Sequence, residues 1–545
     1  MIDRRALLAL LLLGCDPAAG TDAGTDAGGP FDGGPTSDGG DSDAAAADAG
    51  PMPDGPTAET DLGTAIGVNE GDVDVWRGIP YAAPPVGDLR FRPPQPAAPW
   101  DGWRATTDFG PECPQRMRTG TGVTGDEDCL TLNVYAPTDR TAPLPVMVFI
   151  HGGAFIQGSS SVVLYDGSSI ARRGVIVVTI NYRLGALGFL ATDDLVAESG
   201  EGSAGNYGIR DQIAALAWVQ RNAAAFGGDA ANVTIFGESA GGVSVCALLG
   251  APSADALFER GVIESGAGCY GMAELSTSTA TRPTSAVERG AEIAAAAGCT
   301  GDGALECLRG LSADALVDAT WMASSSALGL PDIGPNIDGT VLVADTWDRY
   351  ADGTARDRPV IIGSNADESR SFLLGVPIAT VAAYESAVRA SLPLVADDLL
   401  MLYPASDYAT PKAAFEALFS DIGFICPAVG FADLASAGEP TYAYHFTHVL
   451  NGAAGARGAQ HGDELFFLFD GLGIVPGYTA VAADDAVTEL MQAAWVAFAR
   501  GEAPPDWPAY DPTSPSFRIL DDPARNDPSI REGHCDDLRA LGVVR

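Results

Sequence analysis

The segment that most constrains this chain is residues 236–242, FGESAGG, where a glycine stands two positions before and two positions after Ser239. Small neighbours around one hydroxyl permit a sharp, strained turn between a strand and a helix, which would expose the serine at a sheet edge. The same five-residue pattern arises by chance in a chain with 66 glycines among 545 residues, so the flanking sequence must decide. The turn interpretation requires a buried strand before Ser239 and a helix after it.

The flanking sequence alternates between strand-like and helix-like segments. Short apolar runs that predict buried strands lie at 146–150, 175–180, 233–236, 360–363 and 442–446. Apolar residues at helical spacing predict helices at 208–225, 240–249 and 491–500, the last ending before Pro504 and Pro505. Buried strands that alternate with helices predict an α/β fold, with a mostly parallel central sheet covered by helices on both faces. Ser239 therefore lies where a strand-to-helix turn is expected.

The first 61 residues differ in composition from the rest of the chain. Residues 1–15 join two arginines to an apolar run too short to span a bilayer but suited to a signal peptide. The run ends in LLGC, which resembles a bacterial lipoprotein processing site and predicts Cys15 as a lipidated residue; an ordinary secretory signal is the alternative. Residues 16–61, rich in Asp, Gly, Ala and Pro, predict a disordered acidic tether. We expect an exported protein, anchored to a membrane or secreted, with one large domain at 62–545.

Charge and cysteine content exclude some classes of partner. The formal net charge is −41, from 72 acidic and 31 basic residues, and such a field repels the phosphates of nucleic acids. Eight cysteines follow Cys15, which is typical of disulfides in an oxidising compartment. The absence of any C-x-x-C pair gives no indication of zinc, and no metal site is expected.

A serine hydroxyl becomes a good nucleophile only when a neighbouring base takes its proton. The five histidines of the chain are His151, His445, His448, His461 and His534. His445 and His448 lie in or beside a predicted strand, and a structural role is the simpler interpretation for both. His534 adjoins Cys535 near the end of the chain, and His151 opens a glycine turn. Elimination favours His461, in the polar loop 458–463, as the base.

The base needs a carboxylate partner, and a developing oxyanion needs preset hydrogen-bond donors. Residues 364–368, SNADE, follow a predicted strand and place Asp367 and Glu368 at its carboxyl end. The residues alone leave both acids open, although the order serine, acid, histidine is that of α/β-hydrolases. The turn HGGA at 151–154 offers unobstructed backbone N–H groups, which could act together with the N–H of Ala240.

Nine segments, taken in order, resemble the signatures of the type B carboxylesterases, the family that includes cholinesterases and some lipases. They are WRGIPYA (76–82), EDCLTLNVY (127–135), HGGAF (151–155), NYRLGALGFL (181–190), GNYGIRDQ (205–212), FGGDAANVTIFGESAGG (226–242), GSNADE (363–368), HGDE (461–464) and AWVAFARGEAPPDWPAY (494–510). The resemblance spans about 63–545 and implies the α/β-hydrolase fold with no cofactor. It also implies roles for particular residues: Ser239 as nucleophile, Glu368 rather than Asp367 as the acid, His461 as the base, and Gly153, Ala154 and Ala240 as oxyanion donors.

The resemblance also bears on disulfides and substrate. It implies the pairs Cys113–Cys129, Cys299–Cys307 and Cys426–Cys535, and leaves Cys246 and Cys269 unassigned, interpreted as small buried residues. Cholinesterases carry a tryptophan cation site in the loop that corresponds to 114–128, which here contains no aromatic residue.

We therefore expect broad hydrolysis of small uncharged esters through an acyl-enzyme, rather than hydrolysis of choline esters. A lipase for long acyl chains, or a non-catalytic adhesion or binding protein on the same fold, is the alternative.

Overall fold

The computed structural model describes residues 54–117, 122–279, 282, 284–323 and 331–545, without the side chain of Glu532. The predicted signal peptide with Cys15, and residues 16–53 of the predicted tether, lie outside the described residues. The end of the tether was predicted too late. Residues Thr57–Thr60 form a strand that pairs with Gly63–Ile66, and Ala58 is buried, so the folded region begins before the expected boundary at residue 62.

The described strands fall into one large sheet and three small ones. In chain order they are β1 (Thr57–Thr60), β2 (Gly63–Ile66), β3 (Val68–Glu70), β4 (Val73–Pro80), β5 (Trp103–Ala105), β6 (Gln115–Arg116), β7 (Val123–Thr124), β8 (Thr131–Pro137), β9 (Leu144–Ile150), β10 (Ile176–Ile180), β11 (Gly228–Glu238), β12 (Arg260–Glu264), β13 (Ala273–Glu274), β14 (Asn336–Ile337), β15 (Val360–Asn365), β16 (Thr441–Phe446), β17 (Phe517–Leu520) and β18 (Arg525–Asp527). Within the described residues the large sheet has 11 strands, in the order β18-β17-β16-β15-β12-β11-β9-β10-β8-β4-β3.

The seven central strands of the large sheet, from β17 to β10, run parallel, and both edges are antiparallel. Strand β9 lies between β10 and β11, so the chain adds strands first on one side of β9 and then on the other. Loops that leave neighbouring parallel strands at such a switch point diverge and open a crevice at the carboxyl edge. The segment after β9 and the FGESAGG segment at the end of β11 therefore meet at this crevice.

Helices cover both faces of the large sheet. The α-helices are Ser168–Ala171, Gly185–Phe189, Asp193–Ser199, Tyr207–Asn222, Ala240–Gly250, Ala286–Ala296, Ala304–Gly310, Ala313–Met322, Thr346–Ala351, Val381–Ser391, Ala396–Leu402, Pro411–Ser420, Cys426–Ala435, Leu465–Leu468, Ala482–Ala499 and His534–Ala540. Short 3₁₀ turns lie at Gly87–Leu89, Val163–Tyr165, Ala223–Phe226, Pro252–Ala254, Ala267–Cys269, Ala405–Asp407, Leu472–Ile474 and Arg531–Gly533.

Alternate residues of the central strands pack into two separate cores. In β9, Val148 and Ile150 belong to the core shared with helix Ala240–Gly250, while Met147 and Phe149 belong to the core shared with helix Ala482–Ala499. Successive side chains of a strand point to opposite faces, so a strand that is apolar throughout must be buried on both sides. This two-sided burial is the reason why the apolar runs of the sequence predicted these strands well.

One long apolar helix lies on the same face as Ala240–Gly250. Residues Pro411–Ala435 run continuously through a π-helical turn at Asp421–Ile425. By length and composition this segment could cross a membrane, but most of it is buried against the rest of the fold, as a core helix would be. In a π turn each backbone hydrogen bond spans one residue more than in an α-helix, and such turns are frequent at functional sites.

A buried ion pair ties the segment after β10 to helix Tyr207–Asn222. Arg183 donates through Nε to one oxygen of Asp211 and through Nη2 to the other, at 2.7 Å each. The side chains are 3% and 0% exposed. The exposed pair of Arg389 and Asp397, with nitrogen and oxygen 2.6 Å apart, offers a comparison at the surface.

We predict that Asp211→Ala lowers the free energy of unfolding by about 3–5 kcal/mol, because it leaves a buried guanidinium without its carboxylate. Asp397→Ala, the matched surface control, should cost less than about 1 kcal/mol, because water solvates Arg389 once its partner is gone. Urea unfolding of both variants measures the difference. Equal losses in the two variants would contradict the interpretation of Asp211 as a buried structural charge.

Candidate active site

Ser239 occupies the turn between β11 and helix Ala240–Gly250, in a backbone conformation that non-glycine residues rarely adopt. Its φ is 57° and its ψ is −122°. The turn is fixed by two hydrogen bonds: the Ser239 N–H donates to the carbonyl of Glu264 at 2.9 Å, and the Val243 N–H donates to the carbonyl of Ser239 at 2.9 Å. A Cβ at Gly241 would lie 2.0 Å from the carbonyl oxygen of Ile150, so the helix can pack against β9 only with glycine there. These constraints account for the small residues of the motif.

His461 contacts Glu368 in the buried region beside this turn. The imidazole Nδ1 lies 2.6 Å from Oε2 of Glu368. The other carboxylate oxygen accepts hydrogen bonds from the Ser265 hydroxyl and from the Asn365 N–H, at 2.7 Å each. Both partners of the contact are buried. The acid that follows β15 and the histidine in the loop after β16 are thus brought together, although 93 residues separate them.

Asp367, the other acid that the residues left open, has a different role. Its carboxylate lies 3.0 Å from Arg370 and accepts a hydrogen bond from the Ala459 N–H at 3.1 Å. The backbone of Asp367 also forms an isolated parallel β-bridge with Gln460, the residue that precedes His461. Asp367 therefore holds the loop that carries the imidazole, while Glu368 contacts the imidazole itself.

The second nitrogen of His461 faces the residue that precedes Ser239. Its Nε2 lies 3.0 Å from Oε1 of Glu238. The rings of Phe372 and Phe424 lie 4.9 and 4.8 Å from the imidazole, and Phe424 comes from the π turn of the long helix. Burial by itself would lower the pKa of His461, but the carboxylates of Glu238 and Glu368 outweigh burial and hold the pKa well above its ordinary value.

Two further buried acids lie near Glu238 and Glu368, and sequence reasoning did not identify them. Glu264 is the in-register neighbour of Glu238 on the adjacent strand β12, and its Oε1 accepts a hydrogen bond from the Trp495 indole at 2.9 Å. Glu464 accepts a hydrogen bond from the side-chain amide of Asn365. We call Glu238, Glu264, Glu368 and Glu464 the carboxyl cluster. Glu238 belongs to the motif FGESAGG and Glu464 to the motif HGDE. Membership in these motifs was the only feature of the sequence that could have indicated a role for the two acids.

Burial and mutual repulsion keep protons on part of the carboxyl cluster. Burial, and next the charge of Glu238, raise the pKa of Glu264 to about 8. Burial also raises the pKa of Glu464 well above its ordinary value, with Glu238 and Glu368 adding to the effect. Like charges in a dry site cannot all ionise, so protonation of these two acids limits the negative charge around His461.

The glycine turn after β9 lies against the serine turn. Gly153 has a φ of 106°, Ala154 a φ of 56°, and the N–H groups of Ile156 and Gln157 both donate to the carbonyl of Gly153. A Cβ at Gly152 would lie 3.0 Å from Cβ of Ser239, which measures how closely the two turns approach. The predicted oxyanion residues Gly153 and Ala154 are therefore placed at the same crevice as Ser239 and Ala240, the first residue of the helix.

Three of the four remaining histidines have surroundings that differ from those of His461. His448 lies between Asp484 and Asp521, at 2.8 and 3.0 Å. Burial, with Arg531 adding to it, lowers the pKa of His445 to about 3, so that this imidazole stays neutral. His151 stacks on Tyr182 with ring centres 4.5 Å apart.

A pocket opens beside Ser239. It holds about 1060 Å³ of empty space when its open mouth is counted, and its walls near Ser239 are largely apolar. They include Phe155, Phe189, Val243, Ile333 and Phe424. This lining suits an organic molecule with an apolar part.

Disulfides join Cys113 to Cys129, Cys299 to Cys307 and Cys426 to Cys535. A fourth joins Cys246 to Cys269, the two residues that the sequence left unassigned. This bond connects helix Ala240–Gly250 to the 3₁₀ turn Ala267–Cys269, which forms part of the pocket wall. Both cysteines are buried, as expected, but neither is free. Their 23-residue separation carried no signal of pairing, because only the fold brings helix and turn together.

Comparisons with known proteins agree on one family. A family model described as the carboxylesterase family matches residues 54–536. The chain is 38% identical over 477 residues to a fumonisin B1 esterase of Sphingopyxis macrogoltabida, covering 83% of this chain and 84% of that protein. It is 36% identical over 482 residues to a para-nitrobenzyl esterase of Bacillus subtilis (strain 168), covering 85% and 94%.

The similarity extends to solved structures. A structure titled PNB esterase superposes with a TM-score of 0.75 at 34% identity, covering 88% of this chain and 99% of that chain. Together with the mainly parallel sheet and its two helical layers, this likeness confirms the predicted α/β-hydrolase fold.

We predict that Glu264→Gln makes the fold more resistant to alkaline pH. Because the folded state binds the Glu264 proton more tightly than the unfolded chain, this contribution to stability is complete below about pH 4.5 and is lost as pH rises to about 8. Glutamine keeps the acceptor for Trp495 and cannot ionise. The difference in unfolding free energy between variant and wild type should therefore grow by roughly 3 to 5 kcal/mol from pH 5 to pH 8.

Urea unfolding at several pH values measures this difference. The control is Glu439→Gln, at an exposed position, which should show no such trend. A flat difference for Glu264→Gln would mean that Glu264 is ionised in the folded protein.

Proposed function

Since this chain belongs to the carboxylesterase family and is a carboxylic ester hydrolase, we propose that it cleaves esters through an acyl-enzyme on Ser239. His461 is the general base and Glu368 the acid that holds it. The observation that carries the proposal is the position of His461, with Nδ1 on Glu368 and Nε2 facing the residue next to Ser239.

The local structure around Ser239 supports its role as nucleophile. The strained turn places a serine that is 7% exposed on the wall of the pocket. Strained backbone at a pocket is the expected result when the surrounding fold imposes a conformation for chemistry. A hydroxyl in this position can meet an ester carbonyl that enters the pocket.

In the proposed acylation step, the Ser239 oxygen attacks the ester carbonyl carbon while its proton passes to Nε2 of His461. The tetrahedral intermediate then collapses, the bond to the leaving oxygen breaks, and His461 returns the proton to the departing alcohol. Water repeats the sequence on the acyl-enzyme: His461 takes a proton from water, the acid product leaves, and Ser239 recovers its proton.

Two carboxylates assist the base. The proton transfer must start from the neutral imidazole, because an imidazolium has no free nitrogen to accept the Ser239 proton. The charges of Glu238 and Glu368, which raise the pKa of His461, then stabilise the imidazolium that forms. Glu368 also fixes the ring, since the hydrogen bonds from Ser265 and Asn365 hold its carboxylate in place. The imidazole is thus oriented before the substrate arrives.

The turn after β9 supports the proposed oxyanion site. The N–H groups of Gly153 and Ala154 donate to no backbone carbonyl within the described part of the chain, and those of Ile156 and Gln157 turn inward to the Gly153 carbonyl. Donors at Gly153, Ala154 and Ala240 would stabilise the negative oxygen of the intermediate. Each such donor typically contributes about 3 kcal/mol to the transition state.

For the substrate we propose small uncharged esters, accepted broadly. The apolar walls near Ser239 favour an uncharged acyl or alcohol group. The loop 114–128, which has no aromatic residue, offers no ring face to a quaternary ammonium group. Long-chain lipase activity is the nearest alternative.

We further propose that the protein is exported and anchored through Cys15. The four disulfides of the folded domain support export, because such bonds persist in oxidising compartments. In this arrangement the tether joins the anchor to the catalytic domain.

We predict that Ser239→Ala lowers the hydrolysis of 4-nitrophenyl butyrate by at least about 10³-fold while leaving the fold intact, because the nucleophile is lost. The test compares wild type and variant on 4-nitrophenyl esters from acetate to palmitate, with circular dichroism as the folding control. Wild-type rates should be highest for short chains. Highest rates for long chains would indicate a lipase, and turnover that does not depend on Ser239 would refute the mechanism.

We predict that the neighbouring acids Glu368 and Asp367 respond differently to neutral, nearly isosteric replacement. Glu368→Gln should lower kcat by about 10²- to 10⁴-fold, because an amide can neither hold the correct tautomer of His461 nor stabilise its cation. Asp367→Asn should stay within about threefold of wild type, because asparagine keeps an oxygen acceptor for the Ala459 N–H that holds the loop and because the pair with Arg370 is partly exposed. Steady-state kinetics of both variants on one aryl ester measures the two losses in kcat. A larger loss for Asp367→Asn than for Glu368→Gln would reverse the assignment of the acid.

A further inference from the structure

The pocket beside Ser239 has one polar end. The charged side chains of Arg282, Arg289 and Asp332, which contact one another, contribute to its lining. The rest of the lining is mainly apolar but also includes the hydroxyl-bearing side chains of Ser265, Thr284 and Ser285. Charged groups are uncommon in the lining of a pocket for uncharged molecules, because a buried charge is costly without a partner. The proposed mechanism uses none of the three charged side chains.

Both guanidinium groups are held in place by the protein. Nη1 of Arg282 lies 3.2 Å from Asp332 and its Nε donates to the carbonyl of Gly271 at 2.5 Å. Arg289 lies 3.5 Å from the other oxygen of Asp332, contacts Glu292, and donates to the carbonyl of Ala323 at 3.2 Å. The two arginines therefore share one carboxylate, and their side chains are only 13% and 8% exposed.

The charges at this end of the pocket do not cancel within its lining. Among the described lining residues, the charged ones are two arginines and one aspartate, which leaves one excess positive charge. Glu292 contacts Arg289 from outside the lining and is 49% exposed, so the group of four charges is neutral as a whole and the excess concerns only the side chains that line the pocket. The whole chain carries a net charge of −41, so this local excess is opposite in sign to the average field.

We propose that Arg282 and Arg289 form a subsite for a carboxylate carried by the ester substrate. The inference rests on the proposed function, and it adds to the broad uncharged substrates a preferred class, esters with an additional carboxylate on the part that fills the pocket. A guanidinium presents paired N–H donors that match the two oxygens of a carboxylate. Rigid placement lowers the entropic cost of binding it.

The competing explanation is that the two arginines only fasten the segment 270–273 and residue 332 to helix Ala286–Ala296. In that case, replacing Arg282 would disturb all substrates alike. A carboxylate subsite instead predicts a change in the ratio of rates for charged and uncharged substrates. The ratio separates the two explanations, because a general disturbance of the pocket cancels from it.

The kinetic test compares mono-4-nitrophenyl glutarate with 4-nitrophenyl methyl glutarate, and 4-acetoxyphenylacetate with its methyl ester. These pairs place the carboxylate on the acyl side and on the alcohol side. For at least one pair, Arg282→Gln should lower the ratio of kcat/KM for the charged over the uncharged ester by roughly tenfold, the worth of one charge-assisted hydrogen bond. Arg282→Lys should restore part of the ratio. Arg389→Gln, at an exposed residue outside the pocket, removes the same charge and should leave the ratio unchanged.

The binding test does not depend on turnover. Calorimetry on the Ser239→Ala protein should show 4-phenylbutyrate binding at least about fivefold more tightly than 4-phenylbutyramide, and Arg282→Gln in that background should remove the difference. Equal binding of acid and amide, or rate ratios that do not respond to Arg282, would overturn the subsite. Ser239-dependent hydrolysis of the methyl esters alone would then leave the proposed function intact, whereas its absence would refute that function separately.

Discussion

The structure of this site depends on one imidazole shared between two buried carboxylates. His461 is the only basic side chain in contact with Glu238 and Glu368 among the described residues, and each contact is 3.0 Å or shorter. A buried charge is stable only when its partners are close and hydrogen-bonded, so the contacts among these three groups offset the cost of burying them. Glu264 and Glu464 can lie in the same cluster because burial and the charges of neighbouring carboxylates raise their pKa values, which favours the protonated, uncharged forms.

The large sheet makes this arrangement possible. Glu238 ends β11, Glu264 ends β12, Glu368 follows β15 and His461 lies beyond β16, and these four strands are neighbours. Parallel strands that lie side by side place their carboxyl ends at one edge, so residues far apart in the chain reach one small volume. The glycine turn after β9 completes the edge from the other side of β11.

The pocket combines features with different physical origins. Its apolar wall includes Phe424, which the π turn of a long core helix directs toward His461, and a turn fastened by the disulfide between Cys246 and Cys269. Its polar end is a pair of arginines around a single aspartate. The proposed catalytic residues lie at strand ends, whereas the pocket wall lies on helices and turns, and sites of this kind are how one fold serves many functions.

The sequence by itself determined five of the seven central parallel strands, the order of the motifs and the family resemblance, because apolar runs, glycine turns and short motifs are local properties of a chain. It did not predict β12 or β17. It placed strand β9 and helix Ala240–Gly250 within two residues of their bounds, yet it began helix Ala482–Ala499 nine residues late, where acidic residues interrupt the apolar pattern. Only the tertiary structure decided that Cys246 pairs with Cys269, that Glu264 and Glu464 lie near Glu238 and Glu368, and that Arg282 and Arg289 share Asp332. Each of these contacts joins residues from separate elements. Its energy depends on burial and on the distance between charges, and the order of residues along the chain does not give that distance.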